Sequence, residues 1–565
     1  MTDDAPETAE RIRLLANRLY GERGDEVARD VRDLVARHRL PTDDPRARGR
    51  RVPSEGDAML IAYADQVRAP GERPLATLEG FLEAHGDALT AVHLLPFFPY
   101  TSDDGFGVVD YLAVDERAGT WDDVARVAAS REVMFDAVIN HLSASSEWIQ
   151  RDLAGDEAFA GFAIDVDPSA DLSRVVRPRT TPLATRFDGA DGDRWLWTTF
   201  SADQVDLNYA EPRVLLAVLD VLCEYVRRGA SWLRLDAVAF VWKRLGTSCM
   251  SLPETHAIVQ LIRAVLDEVA PGVSIITETN VPHAENVSYF GDGAGEAQLV
   301  YDFALPPLVL HTLSTGDAGP FVRWLRDRRA PSDQTTFFTF LASHDGIGLR
   351  GSEGILSDAD RAALARQAER HGGFVSHRTA PGGAQVPYEL NISYIDALSD
   401  PAAGEDLRTQ VDRFLCATAL QLAIPGMPGI YLHSLVGSRS DRARAERLGA
   451  PRAINRAPLD RDDLERELAD PTSRRARVFS GIRSLLAARA ASDAFAPSAA
   501  CAASSATPGV VRIDRAGRTA RATCLQNVAP APVAVDAPAG HDLITGEAVD
   551  GRIALRPYEV RWIGR

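Results

Sequence analysis

The chain has 565 residues, of which 45% are hydrophobic and 25% charged, a composition typical of soluble globular proteins that excludes wholesale disorder. Its 80 acidic and 62 basic residues give a formal charge of −18, which disfavours nucleic acid and anionic membranes as partners. Five scattered cysteines without a CxxC pair argue against a disulfide framework or a structural zinc site. The first residues lack the apolar segment of a secretory signal, so we expect a cytoplasmic protein.

The first predicted elements are helical. Residues 7–38 carry apolar side chains at helical spacing among charges, which predicts one or two amphipathic helices that cover another part of the fold. An Arg- and Pro-rich stretch follows, so residues 1–56 are predicted to form a helical segment and a linker. The helices could pack on their own chain or between protomers, and the sequence leaves the oligomeric state open.

Eight short apolar runs follow, most of them separated by helical patterns. Apolar strands that alternate with amphipathic helices indicate a parallel sheet covered on both faces. Eight such units favour a closed (β/α)8 TIM barrel, an α/β fold, over an open sheet. The predicted strands lie at residues 58–63, 91–97, 133–139, 232–238, 273–279, 299–305, 337–343 and 429–432.

Two of the intervals between these runs are too long for a single helix. We expect both to be insertions at the C-terminal face of the barrel, where barrel active sites lie. From about residue 493 the helical patterns stop and short strand-like patterns begin. The predicted organisation is barrel at 57–141 and 207–492, inserted domain B at 142–206, a second insert near 346–410, and a C-terminal β domain at 493–565.

One segment requires a test for membrane insertion. Residues 414–438 contain no Asp, Glu, Lys or Arg, but Pro425, Gly426, Pro428 and Gly429 interrupt them. Prolines and glycines at these positions break a helix long enough to span a bilayer. We therefore predict a buried helix, a sharp turn and a buried strand here, and no association with a membrane.

Polar side chains stand at the C-terminal ends of several predicted strands, where the loops of a barrel converge on one pocket. Two neighbouring carboxyl groups with separated pKa values suit cleavage of a glycosidic bond, because one protonates the leaving oxygen while the other attacks the anomeric carbon. A single carboxylate at such a position would more often cap a helix or pair with an arginine. Three carboxylates with interleaved basic groups favour catalysis: Asp236, Glu278 and Asp345, with His141, Arg234 and His344.

A divalent metal site is the competing interpretation of this cluster. The sequence has no HxH pair and no HExxH motif. Arg234 shares a strand face with Asp236 and would repel a cation. We therefore expect neither a catalytic metal nor a cofactor.

Long motifs resemble a known family. DAVINH (136–141), GASWLRLDAV (229–238), IITET (275–279) and LASHDGIG (341–348) resemble the four barrel motifs of the α-amylase-like glycoside hydrolase family 13. LLPFFPYTSDDGFGVVDY (94–111), WKRLGTSCMSLPETH (242–256), SHDGIGLR (343–350) and INR (454–456) resemble the sucrose phosphorylase subfamily. The resemblance runs from about residue 58 to the end, and the N-terminal helices fit one branch of that subfamily. It implies a retaining enzyme that transfers a glucosyl unit to phosphate.

The resemblance also implies roles for the three carboxylates. Asp236 matches the nucleophile that forms a β-glucosyl ester, Glu278 the general acid/base, and Asp345 the stabiliser of the transition state. Arg234 would keep Asp236 ionised through its positive charge.

The remaining site residues follow from the same resemblance. His141 and His344 match hydrogen-bond donors around the glucosyl unit, whereas Asp103 and Phe106 match the floor and aromatic platform of its pocket. Arg456 matches an arginine that pairs with that aspartate. Two residues match the acceptor end of the site: Arg179, a loop arginine associated with phosphate, and Tyr388, a tyrosine of a mobile loop.

The leaving group is less sharply predicted. Sucrose-specific members usually have His and Gln where this chain has Asn280 and Glu389, and both positions lie where the aglycone should bind. TETNVPHAENVSYFG (277–291) is most similar to the branch that phosphorolyses 2-O-α-glucosylglycerate. An anionic aglycone requires a basic contact, for which Arg179, Arg350, Arg439 and His433 are candidates.

Alternatives from several classes remain at this stage. Phosphorylases of sucrose, sucrose 6′-phosphate and glucosylglycerol are the nearest. A retaining α-glucoside hydrolase or transglucosidase would use the same carboxylates, and physical reasoning does not separate it from a phosphorylase. A non-catalytic carbohydrate-binding barrel fits least, because it would not need all three carboxylates.

Overall fold

A computed structural model describes residues 4–379 and 384–565, so residues 1–3 of the predicted N-terminal segment and 380–383 of the predicted second insert lie outside the described residues. Eight parallel strands form a closed barrel, which confirms the predicted fold class. Each strand pairs with its neighbours in chain order, and the eighth closes on the first. The strands are β1 Met59–Ala62, β2 Ala91–Leu94, β3 Glu132–Ala137, β4 Ala230–Leu235, β5 Ser274–Thr277, β6 Leu299–Tyr301, β7 Thr336–Thr339 and β8 Met427–Tyr431.

Helices surround this barrel, and together with the packed interior they bury both faces of the strands. Each strand therefore needs apolar side chains on both faces, so its sequence is continuously hydrophobic and does not alternate. The eight apolar runs in the sequence have this pattern. The longer barrel helices are Pro74–His85, Trp121–Ser130, Pro212–Arg227, Pro253–Val269, Leu305–Thr315, Gly319–Asp327, Leu407–Ala423 and Arg474–Ala490.

All eight strands end before the last residue of their apolar runs, and the difference is largest for β6 and β7. β6 ends at Tyr301 and β7 at Thr339, although the apolar runs continue to Leu305 and Ser343. The residues beyond the strand ends are still buried, because the inserts cover the barrel mouth. Hydrophobicity reports burial and not strand pairing, so it overestimates strand length where a buried loop follows. Asp345 consequently lies in a loop several residues beyond β7.

The N-terminal helices, Asp4–Tyr20 and Gly24–His38, pack on barrel helices Pro212–Arg227 and Pro253–Val269 of the same chain. The Tyr20 hydroxyl donates a hydrogen bond to the carbonyl of Tyr209 at 3.0 Å. These helices therefore brace the barrel elements that flank β4.

Both inserts contain small antiparallel sheets. In the first, His141–Ser143 pairs with Gln204–Asp206, and Ala184–Gly189 forms a hairpin with Gly192–Trp197. The second insert contains helix Asp358–Arg370 and a three-stranded sheet, made of Ile347–Gly348, Phe374–Thr379 and Gln385–Asn391. The inserts cover the C-terminal ends of the barrel strands.

The chain ends in a six-stranded antiparallel sheet. Its strands are Ala500–Ser504, Val510–Ala516, Arg521–Asn527, Val533–Asp542, Ala548–Leu555 and Val560–Gly564. The charge-poor segment at 414–438 forms the end of a buried helix, a turn and the buried strand β8, as predicted. Within residues 4–379 and 384–565, no helix combines the length and the apolar character needed to cross a membrane.

Replacing Leu34 by Ala should test the bracing by the N-terminal helices. Leu34 is 2% exposed on the packed face of its helix, and removal of a buried leucine side chain costs about 2 to 5 kcal/mol. Leu14→Ala is the matched control, because Leu14 is 57% exposed. We expect Leu34→Ala alone to lower the midpoint of thermal unfolding; equal midpoints for the two variants would contradict the packing described here.

Candidate active site

Two carboxylates stand side by side at the ends of adjacent barrel strands. Asp236 follows β4 directly and Glu278 follows β5 directly. The Asp236 amide donates to the carbonyl of Ala137 at 3.1 Å, and the Glu278 amide donates to that of Leu235 at 3.1 Å. The backbone hydrogen bonding between strands thus continues one residue past the strand ends and fixes where both side chains start. The amide of Ala237 donates to Glu278 Oε2 at 3.1 Å.

Arg234, which is 1% exposed, links these carboxylates to the barrel interior. Its Nη1 contacts an oxygen of Asp136 and lies 2.9 Å from Asp236 Oδ1, whereas its Nη2 lies 3.9 Å from Glu278 Oε1. On the other side, His93 Nε2 lies 2.6 Å from Asp136 Oδ2. One buried guanidinium therefore serves three carboxylates, with the weakest contact to Glu278.

These contacts give the three carboxyl groups different pKa values. Burial opposes ionisation of Asp136, but Arg234 and His93 outweigh it and lower the pKa of that carboxyl. Burial raises the pKa of Asp236 well above its usual range, against the opposing charge of Arg234 and with a contribution from Glu278. Burial likewise raises the pKa of Glu278. The pair formed by Asp236 and Glu278 therefore retains a proton more readily than two exposed carboxylates would.

The third carboxylate has a different environment. Asp345 Oδ1 lies 2.6 Å from Arg452 Nη1 and 3.7 Å from Arg456 Nη2, and it also faces His344. Burial would raise the pKa of Asp345, but these groups outweigh it and lower that pKa strongly. Asp345 is therefore ionised beside a pair that shares a proton.

Aromatic and imidazole rings line one wall of the cleft. The rings of Phe106 and His344 stack with centroids 4.9 Å apart and planes 9° from parallel. His141 Nε2 lies 3.0 Å from the carbonyl oxygen of Phe106, to which it donates. Burial lowers the pKa of both histidines, so both imidazoles are neutral near neutral pH. A neutral ring wall of this kind suits an uncharged polyol such as a sugar.

The neighbouring turn carries two acidic residues with left-handed backbone, Asp103 at φ 52° and Asp104 at φ 48°. Arg456 Nη1 lies 2.8 Å from Asp104 Oδ2 but 3.8 Å from Asp103 Oδ1. The nearer partner of Arg456 is thus Asp104, one residue from the expected one. The reason is the turn itself, which sends consecutive side chains in different directions and leaves Asp103 lining the cleft.

The remaining predicted residues line the same cleft. Asn280 Nδ2 donates to the hydroxyl of Tyr388 at 3.3 Å. Glu389, expected near the aglycone, accepts hydrogen bonds from Arg452 Nε at 3.0 Å and Nη2 at 2.7 Å. The negative charge of Glu389 is therefore compensated by Arg452 in the wall of the cleft. Arg179 also lines the cleft.

Two candidates for the aglycone contact lie elsewhere. Arg439 pairs with Asp396 at 2.7 Å, and His433 Nδ1 lies 2.9 Å from the hydroxyl of Ser438. Neither residue lines the cleft, whereas Arg350 does. The structure thus brings together the three residues predicted to be catalytic and the ten predicted to bind substrate. It leaves Arg439 and His433 outside the cleft.

Two contributors were not among the predicted site residues. Arg452 precedes the INR motif by two residues, and its position four residues before Arg456 was a usable signal, because such spacing puts two side chains on one side of a helical turn. Lys243 Nζ lies 2.6 Å from Asp206 and 3.0 Å from Asn140, and so ties domain B to the end of β3. Nothing in the sequence around Lys243 indicates that partner.

Comparisons with known proteins place the chain in a family. Residues 86–330 match the model of the α-amylase catalytic domain. A glucosylglycerate phosphorylase of Allomeiothermus silvanus is 47% identical over 564 residues, covering 100% of both chains. A sucrose phosphorylase of Agrobacterium vitis is 32% identical over 74% of this chain and 86% of its own length.

A solved structure shows the same fold over almost its whole length. The crystal structure of sucrose 6F-phosphate phosphorylase from Thermoanaerobacter thermosaccharolyticum superposes with a TM-score of 0.74 at 23% identity, covering 88% of this chain and 98% of that one. The barrel, both inserts and the C-terminal sheet lie within the stretch that the full-length relatives share. The chain therefore belongs to the sucrose phosphorylase-like subfamily of the α-amylase family, in the branch that contains the glucosylglycerate phosphorylases.

Proposed function

We propose that this protein is a retaining phosphorylase that converts 2-O-α-glucosylglycerate and inorganic phosphate into α-glucose 1-phosphate and glycerate. The observation that carries the proposal is the full-length match to a protein of that named activity. The cleft supports it with a proton-sharing carboxyl pair beside unneutralised arginines at the acceptor end. All five cysteines are free thiols, which fits a reducing compartment such as the cytoplasm.

In the first step, a carboxylate oxygen of Asp236 attacks the anomeric carbon and the glycosidic C–O bond breaks. Burial favours protonation of both carboxyl groups, but Arg234 donates to Asp236 at 2.9 Å and lies 3.9 Å from Glu278. Because this hydrogen bond stabilises the ionised form of Asp236, we assign the negative charge to Asp236 and the shared proton to Glu278. Glu278 transfers that proton to the departing oxygen, and glycerate leaves. The product is a glucosyl ester of Asp236 with inverted configuration.

In the second step, a phosphate oxygen attacks the same carbon and the ester bond breaks. Glu278, now ionised, accepts the proton of the attacking phosphate when that oxygen carries one. Two inversions give retention, so the product is the α-anomer and Asp236 is regenerated. Water in place of phosphate would make the enzyme a hydrolase, and Arg179 at the acceptor end favours phosphate because a guanidinium fork matches its oxygens.

Asp345 acts on the sugar and not on the proton transfer. Its lowered pKa keeps it ionised, and Arg452 and Arg456 fix its position, so that it can accept hydrogen bonds from glucosyl hydroxyls as positive charge develops at the anomeric carbon. Phe106 and His344 form the neutral face against which the ring lies. Asp103 also lines the cleft and offers a further acceptor.

Phosphate dependence is the first test of the activity. With 2-O-α-glucosylglycerate as substrate, we expect α-glucose 1-phosphate to form only when phosphate is present, because phosphate is the second nucleophile. Coupled detection of the α-anomer measures the product, and phosphate-free buffer is the control. Equal glucose release in both buffers would identify a hydrolase, while turnover only of sucrose, sucrose 6′-phosphate or glucosylglycerol would identify another member of the subfamily.

Replacing Asp236 by Asn should remove the nucleophile while preserving the shape of the site. We expect kcat to fall roughly 10⁴-fold or more, because no covalent intermediate can form. Asp191→Asn is the matched control, since Asp191 is exposed on a hairpin turn of domain B. A near-normal kcat for Asp236→Asn would show that another group is the nucleophile.

The pair formed by Glu389 and Arg452 should behave as one unit. Arg452→Gln leaves the buried carboxylate of Glu389 without its counter-charge, whereas the double variant with Glu389→Gln removes both charges. We expect the double variant to lose less stability than the sum of the single variants, with a coupling energy of about 1 to 3 kcal/mol. Thermal or denaturant unfolding of the four proteins measures it, and strictly additive effects would refute the pairing.

A further inference from the structure

Arg350 is the cationic group of the cleft that neither the reaction steps nor the neighbouring carboxylates explain. It begins the short helical turn Arg350–Ser352, shortly after strand Ile347–Gly348. It lines the same cleft as Glu278 and Asp345. The second insert therefore places Arg350 in the wall of the cleft that also contains Glu278.

Arg350 lacks a counter-charge among residues 4–379 and 384–565. Its Nη1 lies 3.7 Å from Met250 Sδ, and its buried Nε has no hydrogen-bond partner in the part of the chain that the structure describes. Arg452 and Arg456, in contrast, each contact two or more carboxylates. A half-buried guanidinium without a partner is costly unless an anion binds there.

Asn280 lines the same cleft, lies against the backbone two residues before Arg350 and offers the complementary polar atom. A Cβ atom added to Gly348 would come within 2.7 Å of Asn280 Nδ2, so Asn280 packs directly on the backbone that leads to Arg350. Its Nδ2 is used by Tyr388, while its buried Oδ1 has no partner in the described part of the chain. The wall thus presents a cationic donor fork next to a free acceptor.

We propose that Arg350 binds the carboxylate of the leaving group and that Asn280 Oδ1 accepts a hydrogen bond from its free hydroxyl. In 2-O-α-glucosylglycerate the carboxylate and the free hydroxymethyl group are both attached to the carbon that bears the glycosidic oxygen, whereas a neutral polyol of the same size lacks the carboxylate. The proposal rests on the proposed function and assigns its specificity to Arg350. Arg179, which comes from domain B, remains available for phosphate.

The test is acceptor choice in the synthetic direction, with α-glucose 1-phosphate as donor and either glycerate or glycerol as acceptor. For Arg350→Gln we expect the ratio of kcat/KM for glycerate to that for glycerol to fall roughly 10- to 100-fold, the loss typical of a charge-assisted hydrogen bond. Arg350→Lys should fall between this variant and the unchanged protein, because an ammonium keeps the charge but not the fork. An unchanged ratio in both variants would overturn the assignment.

Controls separate this proposal from the proposed function. Arg174→Gln removes an exposed arginine of domain B that does not line the cleft, and it should leave the acceptor ratio unchanged. If the unchanged protein does not use glycerate at all, the proposed function fails. If it prefers glycerate and Arg350→Gln keeps that preference, only the role of Arg350 fails. Should Arg350→Gln not fold, the ratio measured for Arg350→Lys decides the matter, with a normal ratio counting against the proposal.

Discussion

The buried guanidinium of Arg234 is the interaction on which the site depends. Without it, Asp136, Asp236 and Glu278 would bring three carboxyl groups into one desolvated space, which is stable only if they stay protonated. With it, the charge of Asp136 is compensated, and Asp236 and Glu278 share the remaining stabilisation by the guanidinium. The barrel centre thus has too little positive charge to balance its carboxylates, whereas the acceptor end of the cleft has more positive charge than its carboxylates require. The proposed reaction depends on this difference.

The overall charge of −18 gives the opposite impression, because it suggests a protein that repels anions. Net charge acts over long distances in water and is screened there, whereas a guanidinium in a cleft acts at contact distance in a medium of lower polarity. Arg179 and Arg350 are few, but they line the cleft in which we propose that the anions bind. The local arrangement decides binding, and the acidic surface mainly affects solubility and the rate of approach.

The sequence could predict the barrel and the neighbouring positions of Asp236 and Glu278, because apolar runs mark strands and parallel strands share one catalytic edge. It could not predict contacts made by loops. The partner of Arg456 depends on the left-handed turn at Asp103 and Asp104, and the pairing of Glu389 with Arg452 joins segments 63 residues apart. Such contacts depend on tertiary packing, for which local patterns carry no signal.

The bond between Arg456 and Asp104 joins residues 352 positions apart in the chain. During synthesis, the strands that carry Asp236 and Glu278 leave the ribosome long before the segment that holds Asp345 in place. The barrel closes only when β8 pairs with β1, so the cleft cannot form before the last strand has been made. Assembly of the site therefore depends on contacts between the first and the last parts of the barrel sequence.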